Sequence, residues 1–177
     1  MRITKSLLFK SICTAIAAVF WLGTAQAAET AGTVVAFKGD VQAVGAGGVS
    51  RELAKADVVN VGDTVRTGAG GYVVIEFVDG AKATLRPDSE LKIDRYAYGT
   101  DSDGAVMSLV KGGLRAITGG IAQERPESYK VETSVATLGV RGTEFALRIC
   151  EQDCSEEAQR FAGFSQALEG QGYTVIQ

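Results

Sequence analysis

Side chains able to do acid–base or metal chemistry are few in this 177-residue chain, and the most telling absence is histidine, of which it has none. Without imidazole there is no usual general base, no commonest metal ligand and no third member for a Ser-His-Asp or Cys-His site. Carboxylate pairs remain. Glu76 with Asp79, Asp88 with Glu90, and Asp101 with Asp103 have the residue types for acid and base in a glycosidase-like reaction. These acids fall at turns or on alternating strand faces, where solvated charge is their ordinary role, so no catalytic residue and no enzymatic activity is expected. Asp101-Ser102-Asp103-Gly104 begins like a calcium loop, with oxygen ligands at alternate positions before a glycine. Its twelfth position is Gly112 rather than Glu. The stretch reads as a polar hairpin turn between Tyr98 and Val106, and neither a metal nor another cofactor is expected.

Cys150 and Cys154 form a C-x-x-x-C pair in R-I-C-E-Q-D-C. In an oxidising compartment this spacing predicts an intrachain disulfide. Closing so short a loop stabilises by only about 2 kcal/mol in the chain-entropy model, so its job is to pin the end of the last strand. A redox-active pair would use C-x-x-C with a lowered thiol pKa, and zinc needs four ligands that this chain does not supply.

The compartment follows from the N-terminus. Arg2, Lys5 and Lys10 precede an uncharged stretch from Ser11 to Gly23, and Thr24-Ala25-Gln26-Ala27-Ala28 offers the small residues a signal peptidase reads. This predicts a secretory signal peptide over 1–27, cut after Ala27, with an uncleaved anchor as the rival. The apolar run is short of the roughly 20 residues a membrane helix needs. No transmembrane segment is expected once the signal is removed, and the protein is expected in the periplasm. Cys13, in K-S-I-C, lacks the small preceding residue of a lipoprotein signal. Removing the three basic residues of the leader from the total of 18 leaves 15 against 21 acids, a net charge of −6. That balance argues against nucleic acid as a partner, because phosphate binders concentrate Lys and Arg on one face.

With 22 glycines and only two prolines, the rest reads as many short strands joined by tight turns. Period-two or β-branched runs fall at Thr33–Phe37, Val41–Val44, Thr64–Arg66, Tyr72–Val78, Ala81–Leu85, Leu91–Ile93, Ala105–Val110, Leu114–Ile117, Tyr129–Thr133 and Glu144–Ile149. Asp79-Gly80, at two-residue spacing between two runs, predicts a type I′ hairpin. Ile75, Phe77, Ala83 and Leu85 are then core candidates, while Val74, Glu76 and Val78 share the other face. Phe37–Val44 and Val110–Ile117 repeat one pattern: apolar, Lys, Gly, any, apolar, polar, Ala, apolar. One strand–Gly–strand unit used twice fits a layered all-β architecture. Beyond Cys154, Ala158, Phe161, Ala162, Ser165 and Leu168 fall at helical spacing, predicting one short amphipathic helix within Asp153–Leu168 that Gly170 and Gly172 end.

Four segments carry a resemblance. Ser134–Leu147, S-V-A-T-L-G-V-R-G-T-E-F-A-L, sets a Gly-Val-Arg-Gly-Thr corner between two apolar stretches. It is joined by D-T-V-R-T-G at Asp63–Gly68, V-I-E-F-V-D-G-A-K-A-T-L at Val74–Leu85 and P-D-S-E-L-K-I at Pro87–Ile93. Together they resemble the FecR domain, over roughly Gly32 to Leu147. The expected organisation is a signal peptide over 1–27, a FecR-like β domain over 32–149, and a disulfide loop, short helix and tail over 150–177. The fold class is all-β, a sandwich or solenoid-like stack of short antiparallel strands with one short C-terminal helix. Relatives of this kind continue past the C-x-x-x-C segment into further glycine-rich strands. Here Tyr173–Gln177 follows the helix, so either the helix replaces those strands or a sheet edge is left unpaired, an association hazard.

The resemblance implies a periplasmic module for protein recognition. In the regulator that names the family, an anti-sigma segment and a membrane span precede the domain, which reads the signalling domain of an outer-membrane transporter. A cleavable leader stands there instead in this chain, so direct signalling to a sigma factor is not implied. Asp63, Thr67 and Gly68, the Asp79-Gly80 turn, and Gly139, Arg141, Gly142 and Thr143 match the family's motifs. They are expected to hold the fold rather than touch a ligand, the glycines allowing tight backbone and the Arg and Thr satisfying buried carbonyls. The expected function is a non-catalytic recognition or scaffold module with an envelope protein as partner, linked to envelope signalling. The alternative is a binder of cell-wall glycan, because FecR-like modules also occur beside peptidoglycan-binding repeats. Tyr72, Tyr96, Tyr98 and Tyr129 would supply its stacking rings, with Tyr96 and Tyr98 on one strand face.

Overall fold

A computed structural model describes residues 28–150 apart from Arg141. The signal peptide expected over 1–27, Cys154 and the helix expected within 153–168 lie outside these residues. The strands are β1 (Thr30–Lys38), β2 (Val41–Val44), β3 (Ser50–Glu52), β4 (Val58–Asn60), β5 (Thr64–Thr67), β6 (Tyr72–Phe77) and β7 (Lys82–Leu85), then β8 (Glu90–Ala97), β9 (Gly104–Lys111), β10 (Gly113–Ile117), β11 (Tyr129–Glu132), β12 (Thr137–Gly139) and β13 (Glu144–Arg148). A five-residue helix, α1 (Gly120–Glu124), and a 3-10 turn at Pro126–Ser128 separate β10 from β11. The chain is all-β, in two sheets: a six-stranded one ordered β13-β10-β7-β6-β1-β4 and a seven-stranded one ordered β12-β11-β9-β8-β5-β2-β3. Their inner faces share one apolar cluster, so the architecture is a sandwich rather than a solenoid.

Alternation decides which side chains enter that core. On β6, Val73, Ile75 and Phe77 point inward, and on β7 Ala83 and Leu85 meet them, all at most 3% exposed. On β8, Leu91 and Ile93 are inward, and a register shift between Ile93 and Arg95 then moves the inward position to Tyr96. The bulge therefore buries an aromatic ring and leaves Arg95 outside. Tyr96 lies flat on Phe77 of the opposite sheet, centroids 4.2 Å apart and planes 4° from parallel.

The repeated pattern has a structural counterpart. Phe37–Val44 leaves the six-stranded sheet at the end of β1, turns at Gly39 (φ +67°) and enters the other sheet as β2. Val110–Ile117 makes the reverse crossing, from β9 through Gly112 (φ +78°) to β10. Gly68 N donates to Asp40 O at the first corner and Arg86 N to Gly113 O at the second, both at 2.9 Å. Similarly, Gly80 N donates to Phe77 O at 2.9 Å, as Gly62 N does to Ile93 O at 2.7 Å. The two sheets thus repeat one order of strand pairing with their roles exchanged. The exception lies beyond β9: β4 runs antiparallel to β1, whereas β11 runs parallel to β9. A parallel neighbour needs a crossover connection, and β10 with α1 supplies it.

The hairpin at Asp79-Gly80 forms, but not as a two-residue type I′ turn. Glu76 pairs with Lys82, Phe77 N donates to Ala81 O at 2.8 Å, and only Gly80 (φ +82°) is left-handed. The loop is therefore Val78-Asp79-Gly80, a turn followed by a left-handed glycine of the three-residue class. Asp79, the second central residue of that turn, is not left-handed, as a type I turn requires.

Candidate functional site

Asp79 joins three elements. Its carboxylate is buried; Oδ1 accepts hydrogen bonds from Tyr96 Oη at 2.7 Å and from Ala81 N at 3.0 Å, and Oδ2 accepts one from Ile121 N at 3.2 Å. Its carbonyl accepts from Gly120 N at 3.0 Å. One aspartate thus ties its own hairpin to β8 and to the start of α1, where Gly119 packs too tightly for a Cβ, which would lie 2.5 Å from Ala81 N and Asp79 O. Burial pushes the Tyr96 phenol far above its ordinary range, and the neighbouring Tyr129 and Asp79 push it further. Tyr129, also buried, is raised for the same first reason. Its hydroxyl is the buried side-chain polar atom left without a partner among the described residues, and its ring meets Phe145 edge-on at 6.4 Å.

The Asp63-to-Gly68 motif forms a second polar centre. Asp63 Oδ2 accepts from Arg51 Nη2 at 2.7 Å and from Asn60 N at 2.9 Å, while the same guanidinium donates to Val58 O at 2.8 Å. This fastens β3 and β4 to the entry of β5. At the other end of β5, Thr67 Oγ1 donates to Arg86 O at 2.6 Å and accepts from Ser89 N at 2.9 Å. Ser89 Oγ in turn accepts from Gly113 N at 2.8 Å. Both strand–Gly–strand corners are held from this point.

At the Gly-Val-Arg-Gly-Thr corner, the hydroxyl that satisfies backbone carbonyls belongs to Thr118. Its Oγ1 donates to Gly142 O at 2.8 Å, and its backbone N donates to Thr143 O at 2.9 Å. Thr143 is exposed and contributes its carbonyl, contrary to the expected role of its side chain. Gly139 pairs with Lys130 across β11 and β12, with open space where a Cβ would sit. Arg141 and Cys154 lie outside the described residues; Cys150 ends them.

The carboxylate pairs engage separate partners. Glu76 lies 3.3 Å from Lys82 and Glu90 2.9 Å from Arg66, both near the surface, while Asp79 is buried. Asp103 Oδ1 accepts from Thr100 N at 2.6 Å, which holds its carboxyl below the ordinary range and closes the Asp101–Gly104 turn. The proposed stacking rings do not share a platform. Tyr96 and Tyr129 are in the core, and β8 ends at Ala97, so Tyr98 sits beyond the strand against Gly120. A cleft of about 110 Å³ beside Phe37, Asp40, Gln42 and Leu53 is well short of the roughly 300 Å³ that small-molecule sites need.

The family model for FecR protein matches residues 63–160. This chain belongs to the FecR family. The FecR match opens at Asp63, yet β1 to β4 precede it and share the same two sheets and core. A solved structure titled "Cell surface anchoring domain" is 34% identical over 35% of this FecR chain and 82% of that domain, with a TM-score of 0.34. No curated protein matches the chain. No helix among the described residues is long and apolar enough to cross a membrane.

Sequence reasoning singled out Asp63, Thr67 and Asp79 but missed Tyr96 as a polar partner, together with Ser89, Thr118 and Arg51. Tyr96 is 17 residues from Asp79 and Ile121 is 42, so no local spacing links them. Ser89, beside the left-handed Asp88 (φ +54°), had a signal in P-D-S-E, a turn whose hydroxyl needs a partner.

Proposed function

We propose that this protein is a non-catalytic periplasmic module that recognises or scaffolds another envelope protein. The observation that carries this reading is the family match over residues 63–160. FecR proteins are envelope-associated regulators, and recognition rather than chemistry is what the rest of the molecule favours. The buried polar side chains of the motifs, Asp63, Thr67 and Asp79, hold backbone amides and carbonyls or neighbouring side chains. What the sandwich offers outward is strand edges and sheet faces, the surfaces through which a partner adds a strand or docks. Export by a leader cut after Ala27 and a Cys150–Cys154 disulfide belong to the same reading.

Capture from detergent-solubilised envelope with the tagged protein tests it, alongside sedimentation with purified peptidoglycan. The expected result is one or a few envelope proteins retained above a control and no sedimentation. Sedimentation with the wall and no retained protein would favour the glycan alternative and defeat the proposal.

A further inference from the structure

Strand β13 presents a regular edge. Its ladder with β10 runs through five consecutive pairs, from Gly113 with Arg148 to Ile117 with Glu144, without a bulge. Among the described residues no strand lies on its other side. The strand has neither the proline, the lysine nor the bulge with which natural edges are blunted. Ile149 N donates to Gly112 O at 2.8 Å and Thr118 N to Thr143 O at 2.9 Å. By alternation, the odd-numbered residues turn their backbone groups to β10, and Glu144, Ala146 and Arg148 turn theirs away from it.

We propose that this edge pairs with β13 of a second copy, antiparallel about a two-fold axis at Ala146. The sequence Glu-Phe-Ala-Leu-Arg is self-complementary in that register. Only residues with outward backbone groups can form the hydrogen-bonded pairs, so the choice of registers is small. Centring on Glu144 sets Glu against Glu, centring on Arg148 sets Arg against Arg, and centring on Phe145 or Leu147 sets one charged residue against Ala146 and leaves it without an opposite charge. Centring on Ala146 engages Glu144, Ala146 and Arg148 of both copies and places each Glu144 opposite Arg148 of the partner subunit. Opposite charges facing across a strand pair stabilise it, and like charges oppose it. Glu144 also lies 2.5 Å from its own Arg115, so each carboxylate would sit between two cations. On the inner face, half-buried Phe145 and Leu147, already packed against the core, would oppose one another in the closer, non-hydrogen-bonded pairs. Such an interface is isologous, as a two-fold dimer requires, and joins two six-stranded sheets into one. It is independent of the recognition role proposed above.

Sedimentation velocity of the processed protein over a wide concentration range tests the pairing. A reversible dimer is expected. Ala146→Pro removes an N–H that β10 does not use, so it should weaken the dimer at least about tenfold with the far-UV circular dichroism unchanged. Glu144→Arg and Arg148→Glu should each weaken it by about tenfold, and an equal mixture of the two should associate again as a heterodimer, because the charges are then complementary. That mixture decides the matter even if the proline variant misfolds. A monomer at every concentration would mean that residues 151–177 or nothing occupies the edge, and would overturn the proposal. So would a dimer indifferent to both charge reversals.

Discussion

Replacing Asp79 with alanine should remove about 3–5 kcal/mol of stability. The carboxylate accepts three hydrogen bonds, from Tyr96 Oη, Ala81 N and Ile121 N. Each buried donor left without an acceptor costs about 1–3 kcal/mol, and the longest of the three, at 3.2 Å to Ile121 N, belongs at the low end. Against this, alanine has no polar side chain to strip of water beneath the surface, which trims the sum. A domain of this size has about 5–15 kcal/mol in total, so the loss should lower the melting temperature by about 10 °C or more. Asp79→Asn keeps the shape and one acceptor oxygen but points an amide donor at another donor, and should cost about 1–3 kcal/mol. Tyr96→Phe keeps the stack on Phe77 and loses the hydroxyl, costing about 1–2 kcal/mol. Equilibrium urea unfolding followed by circular dichroism reads all of these. In the double variant the two losses should fall short of additive by about 1 kcal/mol or more, because they share one hydrogen bond. An Asp79→Ala variant within about 0.5 kcal/mol of the parent, or strict additivity with Tyr96→Phe, would refute the account of this hub.

Three other outcomes are expected. Tyr96 and Tyr129 both sit above their ordinary value of 10.0 in the folded state, so folding holds their protons more tightly. Their contribution is complete below that pH and declines as pH rises above it, by about 1.4 kcal/mol per pH unit for each. Urea midpoints at about pH 9 and pH 11 should show the fall, and Tyr96→Phe should make it shallower. Gly112→Ala places a Cβ 2.3 Å from Ser89 Oγ and 2.7 Å from Asp88 O, whereas at Gly48, also left-handed, nothing lies within 4 Å. Gly48→Ala should therefore cost only the backbone strain of about 1–2 kcal/mol and Gly112→Ala clearly more, by thermal unfolding. Finally, intact mass after thiol alkylation without reduction should show no adduct at Cys150 or Cys154; two adducts would remove the disulfide from the account.

Legibility in the sequence followed how local the determining interactions are. The β6–β7 hairpin, its four core residues and the paired strand–Gly–strand corners were readable, because alternation and glycine act within a few residues. Strands β3, β4 and β12 were not: each has three residues, and Ser-Arg-Glu in β3 carries no apolar period. Helix α1 begins Gly-Ile-Ala and is too short to show a period; it is fixed by Asp79, far away in sequence. The parallel pairing of β9 with β11 depends on the crossover through β10, and the inward turn of Tyr96 on a bulge, neither of which leaves a composition signal. For the same reason Tyr96 and Tyr129 read as available rings in the sequence and are core in the fold.

The most direct test of the recognition role is proximity labelling in the envelope of the native host, at natural expression and with the full chain. Reproducible enrichment of an outer-membrane transporter, membrane regulator or other envelope protein is the predicted result. Labelling confined to wall enzymes, or indistinguishable from an exported control, would contradict it.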